Sequence, residues 1–421
     1  MSTALLSGTQ KSKYRYKRAR FLYQFVLYLS PVILLTSIFP LVTPRMAGIM
    51  VGGVELPQII LAVAITVPWM SQSVCLPVYR AMGDLLGERE MNACMRRFAE
   101  YWITTSLAVL PALLFFSLPF FFALNWSLTT LLAFLVLGFL NMLFSQLLVI
   151  ANLPTDSRNT WAFAWLAYAM ALLAFPAVWF LPPLMGIFVM LFVLRGHLRH
   201  LVAFKRLDYH VVAQEMLRGF LLGSVLWADK YLLFITLDGT MNVIAVYMGL
   251  APAVIAYNYF FAAEATKVDR AVGHLRTIIE SKGYQQVESY STKVENRVVD
   301  STRRTLMIAG ISSVIVAVLM FLLSPESFSL ALTVIVSSWL FLAVTVFCYQ
   351  IDYLGSHTTP QLIGLAHLFI CGVAFQLFPG THAYFAIMVG ELLLVAVSYM
   401  AFRRTWKTPA YDLFWRHAVA W

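Results

Sequence analysis

Long apolar stretches alternate with short polar connections along almost the whole chain. The apolar runs fall near 21–43, 53–79, 99–124, 127–153, 161–180, 181–195, 219–237, 242–264, 305–324, 328–350, 361–379 and 382–402. A helix needs about 20 apolar residues to cross a ~30 Å hydrocarbon layer, so the runs predict about twelve membrane spans. The stretch 161–195 is divided at Pro182-Pro183, because two prolines in series sit more easily in a turn than inside a span. The first run is about as long as a full crossing and follows a basic tail, so it is read as a signal anchor and not as a cleavable leader.

Composition agrees: 61% of the 421 residues are hydrophobic and 12% charged, against about 25% charged in soluble domains. This excludes a soluble globular protein. A net charge of +10 would suggest a nucleic-acid partner in a soluble chain; in a membrane protein its placement decides, and no nucleic acid is expected. With twelve crossings, 28 of the 30 lysines and arginines fall on one side. Arg45 lies opposite and Lys230 inside a span. Such asymmetry predicts that both termini are cytoplasmic. The four cysteines, Cys75, Cys94, Cys348 and Cys371, have no CxxC spacing, so neither a metal site nor a disulfide framework is expected.

The same charges divide the chain. Residues 1–20 form a basic cytoplasmic tail, 21–195 a first six-helix bundle, 196–218 a cytoplasmic bridge, 219–403 a second six-helix bundle and 404–421 a cytoplasmic tail. Two six-helix halves are how many transporters place a pathway at an interface. Pro31, Pro68, Pro111, Pro176 and Pro252 interrupt apolar runs, either as hinges or as the ordinary prolines of membrane helices. The second bundle includes the largest aqueous segment, 265–304. There Val287, Tyr290, Val294 and Val298 recur at helical spacing, which predicts an amphipathic helix. Arg270, Arg276, Arg297 and Arg303 make this segment a candidate dock for anionic lipid or a cytoplasmic partner; a solvated extension of the neighbouring spans is the alternative.

The seventh run carries the most unusual chemistry, with Asp229 and Lys230 adjacent in GFLLGSVLWADKYLLFITL. Asp229 lies eleven residues beyond Arg218, roughly 16 Å into the layer at 1.5 Å per residue. Charges at that depth cost about 2.5–3.5 kcal/mol each on an insertion scale, so they must face protein or water. Candidate partners in other runs are Glu391, Glu264, His367, Asn141 and Gln146. One reading is a polar pathway that contacts substrate or a coupling ion; the other is a neutralising pair that locks helix packing. Trp161–Tyr168 and Tyr257–Phe261 are aromatic stretches suited to packing, interfacial anchoring or stacking on sugars.

Around Trp227 the segment GSVLWADKYLLF resembles the Trp-x-Asp-Lys signature of the PelG family of exopolysaccharide transporters, within the multidrug/oligosaccharidyl-lipid/polysaccharide (MOP) flippase superfamily. RLDYHVV before that span, MGLAPAVIAYNYFFAAEATKVDRAVGHL after it and VFCYQIDYLGSHTTPQLIGL later occur in the same order. The resemblance implies an all-α polytopic MOP flippase-like fold and export of polysaccharide or a lipid-linked glycan. It also implies a cytoplasmic glycosyltransferase and membrane subunits as partners, and neither a catalytic residue nor a cofactor. A membrane glycosyl- or acyltransferase, a non-transporting assembly subunit and a small-molecule exporter remain alternatives. For an enzyme, the outward connections offer Glu55, Asp238, Glu326 and His382 without catalytic spacing. No Walker A motif is present.

Overall fold

The computed structural model describes residues 23, 38–39, 41–83, 85, 90–151 and 158–419. Apart from turns, the described residues are helical except for a short hairpin with two-residue strands, β1 (Met50–Val51) and β2 (Val54–Glu55), paired antiparallel with Met50 opposite Glu55. Its turn is Gly52-Gly53, both at positive φ, the conformation a two-residue turn needs to match strand twist.

Helix α1 (Leu56–Met82) is followed by α2 (Met91–Leu107), α3 (Val109–Phe122), α4 (Leu128–Ala151), α5 (Arg158–Ala174) and α6 (Leu181–Leu194). A 3-10 helix, Arg195–Ala203, then leads to α7 (Tyr209–Thr236), α8 (Val243–Tyr259), a π-helical segment (Phe260–Ala265) and α9 (Thr266–Ser281). The remainder is α10 (Tyr284–Leu323), α11 (Phe328–Tyr353), α12 (Thr358–Leu377), α13 (Thr381–Trp406) and α14 (Pro409–Val419).

Among the described residues, ten helical stretches are long and apolar enough to cross a membrane, and Asn159–Ala174 is a shorter apolar helix. The first expected span, 21–43, with Pro31 and the basic tail, lies largely outside the described residues.

Several boundaries differ from the hydropathy reading. The break between the fifth and sixth runs falls at 175–180, so Pro176 stands in the turn, and Pro182 and Pro183 open α6. A proline in the first helical turn gives up an N–H that has no intrahelical partner anyway, which is why the pair starts the helix rather than dividing two. The seventh helix begins at Tyr209, ten residues before the apolar run, because the Asp208 side chain accepts the His210 N–H and caps it. Polar residues therefore extend this helix beyond its apolar part. Helices α2 and α3 join at Ala108 without a loop; Pro111 cannot donate to the Leu107 carbonyl, and the ladder breaks there.

The 265–304 segment is helical almost throughout. Helix α8 continues through the π segment into α9, the chain reverses at Lys282-Gly283, and α10 returns as a 40-residue helix. The apolar stripe expected of an amphipathic helix faces inward: Val294 and Val298 are buried with Val268, Val272 and Leu275 of α9, and the cluster includes Phe402, Trp406 and Leu413. The segment is thus a helical hairpin that extends its neighbouring spans and is covered by α14. Arg270, Arg276, Arg297 and Arg303 remain exposed on its surface.

The two halves meet where α7 packs along α1. A side chain at Gly219 would collide with the backbone of Gln72 and Ser73, and one at Gly223 with Trp69. Small residues let membrane helices approach this closely, replacing a missing hydrophobic driving force with contact. Two backbone carbonyls of α7 are used as acceptors across the contact. Ser73 Oγ donates to Met216 O at 2.6 Å, and Trp69 Nε1 donates to Phe220 O at 2.8 Å. Further along, Tyr231 Oη donates to Phe116 O at 2.6 Å, inside an aromatic cluster with Trp69 and Phe120.

Candidate functional site

The seventh helix places Asp229 and Lys230 in the interior of the second half, both essentially without solvent exposure. Successive helical positions differ by about 100°, yet the long lysine side chain folds back. Its ammonium lies 3.0 Å from Asp229 Oδ1, an ion pair without hydrogen-bond alignment. The other carboxylate oxygen, Oδ2, accepts the Tyr384 hydroxyl from α13 at 3.0 Å. Lys230 Nζ also reaches Ser338 Oγ of α11 at 3.4 Å and stands 5.1 Å from the centre of the Phe341 ring. A cation over an aromatic face gains electrostatic attraction that survives burial.

The same ring also touches a second pair. His367 of α12 packs T-shaped on Phe341 at 4.9 Å, and its Nδ1 is 2.8 Å from Glu391 Oε1 of α13. His367 Nε2 is 3.4 Å from Cys371 Sγ. Four helices, α7, α11, α12 and α13, therefore enclose two acid–base pairs with Phe341 between them. Glu391 Oε2 and the hydroxyl of Ser337 are buried without a hydrogen-bond partner among the described residues. A buried carboxylate oxygen of this kind carries a desolvation cost that a proton, water or substrate group would relieve.

The structure brings together Asp229, Lys230, His367 and Glu391, and leaves the other candidates elsewhere. Trp227 is half-buried in packing between α7 and the α8 side of the second half. Gln146 is satisfied inside the first half: Ser106 Oγ donates to its Oε1 at 2.9 Å, and its Nε2 donates to Val74 O at 3.2 Å. Asn141 donates to Leu137 O of its own helix at 2.8 Å and accepts from the Tyr168 hydroxyl at 3.3 Å. An amide that meets its needs within one bundle has no reason to reach across to the other. The aromatic stretches are likewise packing elements: Phe144 stacks on Tyr168, and Tyr349 packs on Phe260 and Phe261.

Glu264 occupies a separate place, in the π segment where α8 gives way to α9. Its buried Oε1 accepts Tyr259 Oη at 3.0 Å and pairs with Lys267 Nζ at 2.6 Å, with Arg304 of α10 at 3.9 Å. One extra residue per turn is the local price of aiming this carboxylate inward. Replacing Glu264 with Ala removes the acceptor of both donors. Thermal unfolding of the purified variant is expected to show a loss of about 1–3 kcal/mol, while Glu264→Gln retains part of it.

A further cluster that sequence reading passed over joins α7 to the α11–α12 connection. Asp352 accepts Arg218 Nε at 3.0 Å and is also paired with its terminal nitrogen; His357 Nδ1 lies 2.8 Å from Asp352 Oδ1, and Glu215 pairs with Arg218 at 3.0 Å. Arg218 sits at the polar end of the α7 span, so this cluster fixes the depth from which Asp229 is measured. Tyr384, Ser338 and Cys371 were also unmarked in the sequence. The only available signal was a hydroxyl or thiol inside an apolar run, which is common in membrane helices.

The arrangement defines an all-α, multi-pass membrane protein in two packed helical bundles, with ionisable groups enclosed in the second. No protein-family model matches the chain, and none of the curated proteins matches it. Among solved structures, the fold is similar to that of a multidrug resistance MATE family transporter of the MOP superfamily in its outward-facing conformation. The TM-score is 0.51 at 12% identity, over 93% of this chain and 96% of that one. A MATE solved in complex with Br-NRF gives a TM-score of 0.47 at 10% identity, over 93% and 96% of the two chains. The first of these establishes the architecture: the chain shares the fold of that transporter.

Proposed function

We propose that this chain is a membrane transporter that exports a polysaccharide or lipid-linked glycan from the cytoplasm by rocking its two halves, with its basic side cytoplasmic in a bacterial inner membrane. The observation that carries the transport reading is the enclosed set of two acid–base pairs in the second half. Intramembrane charges are costly, and four ionisable side chains on three helices, α7, α12 and α13, give a group whose protonation or pairing can differ between two arrangements. The glycan assignment rests on the resemblance around Trp227–Lys230. In this reading the exposed arginines of the α9–α10 hairpin, Arg270, Arg276, Arg297 and Arg303, dock a cytoplasmic glycosyltransferase, and membrane subunits complete a synthase complex.

Export of a small molecule is the second reading, favoured by the fold likeness to a multidrug resistance transporter. One experiment separates the two. Cells lacking the chain are complemented with wild type, Asp229→Asn or Lys230→Gln at matched membrane levels. Extracellular and intracellular polymer are then quantified beside susceptibility to a panel of cationic drugs. Loss of extracellular polymer in both variants, with unchanged drug susceptibility, is expected. Loss of drug resistance with normal polymer would select the second reading, and full export by both variants would remove the Asp229–Lys230 pair from the pathway.

A further inference from the structure

Two segments leave the bundles at corresponding places. The 3-10 helix Arg195–Ala203 follows the last helix of the first half, α6, and packs on α2; α14 follows the last helix of the second half, α13, and packs on α9 and α10. Each turns one apolar side inward. Leu198 and Leu201 pack against the first-half core, and Leu413 is buried in the core beneath α9 and α10.

Each also leaves apolar residues uncovered, Phe204 standing just beyond the end of the 3-10 helix. Val202 and Phe204 are 76% and 52% exposed, and Tyr411, Phe414 and Trp415 are 62%, 50% and 49% exposed. The spacing of the last three, i, i+3 and i+4, puts them on one helical face.

The depth of these faces follows from helix length. Helix α6 has 14 residues, about 21 Å at 1.5 Å per residue, short of a ~30 Å hydrocarbon layer. The 3-10 helix therefore starts at lipid depth, and its exposed residues meet the headgroup region before they meet water. Helix α14 starts two residues after α13 ends, which keeps it at the same surface.

Charge matches this position. From Arg195 to Arg206 the chain has four Lys or Arg and no acid, and Arg403, Arg404 and Lys407 stand exposed just ahead of α14. Apolar and aromatic residues mixed with cations at the end of a span are the chemistry of an interfacial anchor on anionic lipid.

We propose that the 3-10 helix Arg195–Ala203 and helix α14 are a matched pair of seats on the anionic headgroup surface of one leaflet, one for each half. The leaflet is the cytoplasmic one if the charge orientation above is right; the seating itself does not depend on what is transported.

The test uses the full chain reconstituted in vesicles, with a single labelling site introduced as Val202→Cys, Phe414→Cys or, as the aqueous control, Tyr284→Cys at the tip of the α9–α10 hairpin. Tyr284 is 77% exposed, and all three sites tolerate a small side chain. Label on the native cysteines is measured with the unsubstituted chain and subtracted. An environment-sensitive NBD group is read in vesicles of phosphatidylcholine alone and of equal parts phosphatidylcholine and phosphatidylglycerol.

In the mixed vesicles, emission from Val202→Cys and Phe414→Cys is expected to be blue-shifted, quenched by headgroup-level nitroxide lipid and protected from iodide. Tyr284→Cys should show the reverse. Iodide quenching at the first two sites equal to that at the third would overturn the proposal and leave these faces to a soluble partner. Lipid quenching that is the same in both vesicle types would overturn the choice of anionic lipid.

Discussion

Lys230→Met is expected to be among the most destabilising single changes in the protein. It leaves Asp229 buried with only the Tyr384 hydroxyl as partner, and breaking a buried ion pair from one side costs about 3–5 kcal/mol. The double variant Asp229→Asn, Lys230→Met removes both charges and is expected to regain most of that loss, because the uncompensated charge is gone. Thermal unfolding of the purified proteins in detergent checks the pattern. Transport should separate from it: if the pair only holds helices together, the double variant exports normally, whereas a pathway role leaves it stable and inactive. Equal stability of the single and double variants would mean that Asp229 finds another partner when Lys230 is lost.

Gly219→Leu is expected to have an effect of similar size for a different reason. The new side chain would occupy the place of the Gln72 carbonyl and the Ser73 Cα, and backbone cannot move aside as a side-chain tip can. Overpacking of this kind costs about 1–3 kcal/mol, occasionally more, and here it also pulls Ser73 Oγ away from Met216 O. The variant should reach the membrane but unfold at lower temperature, and export should fall with the separation of α1 and α7. Gly273→Leu, on an exposed turn of α9 with open space at its Cβ, provides a comparison that should leave both properties unchanged.

The span pattern was legible because hydropathy is a property of whole segments. The expected segments from 53–79 onward correspond to helices. Boundaries were harder, since they depend on single local contacts. Nothing in the apolar count announces that Asp208 caps a helix ten residues before its apolar part, or that Pro182 and Pro183 begin a helix instead of ending one. The 265–304 segment was read correctly as amphipathic, but periodicity gives only the existence of an apolar stripe. Its occupant, the α9 face with Leu413 from α14, comes from residues more than a hundred positions apart.

The candidate site was legible in the same partial way. A polar or ionisable side chain inside an apolar run singled out Asp229, Lys230, His367 and Glu391, and these four share one enclosed region. The same rule also selected Asn141, Gln146 and Glu264, which are satisfied in other places. Cost of burial identifies groups that need partners without saying which partners they find. Phe341, which joins the two pairs, carried no signal at all because an aromatic ring in an apolar span looks like packing.

The connection between the bundles has one more implication. Lys205 is fastened to the first half three ways: its N–H donates to Glu100 O at 2.9 Å, its carbonyl accepts Thr104 Oγ1 at 2.7 Å, and its ammonium pairs with Glu100 at 2.7 Å. Helix α7 begins at Tyr209, so the free leash is only residues 206–208. At ~3.3–3.6 Å per residue it spans roughly 10–14 Å when taut. Any separation of the two halves wider than that on this side must either unfasten Lys205 or unwind the first turn of α7, so Glu100 limits how far the bundles can part here before the chain begins to unravel at its own joint.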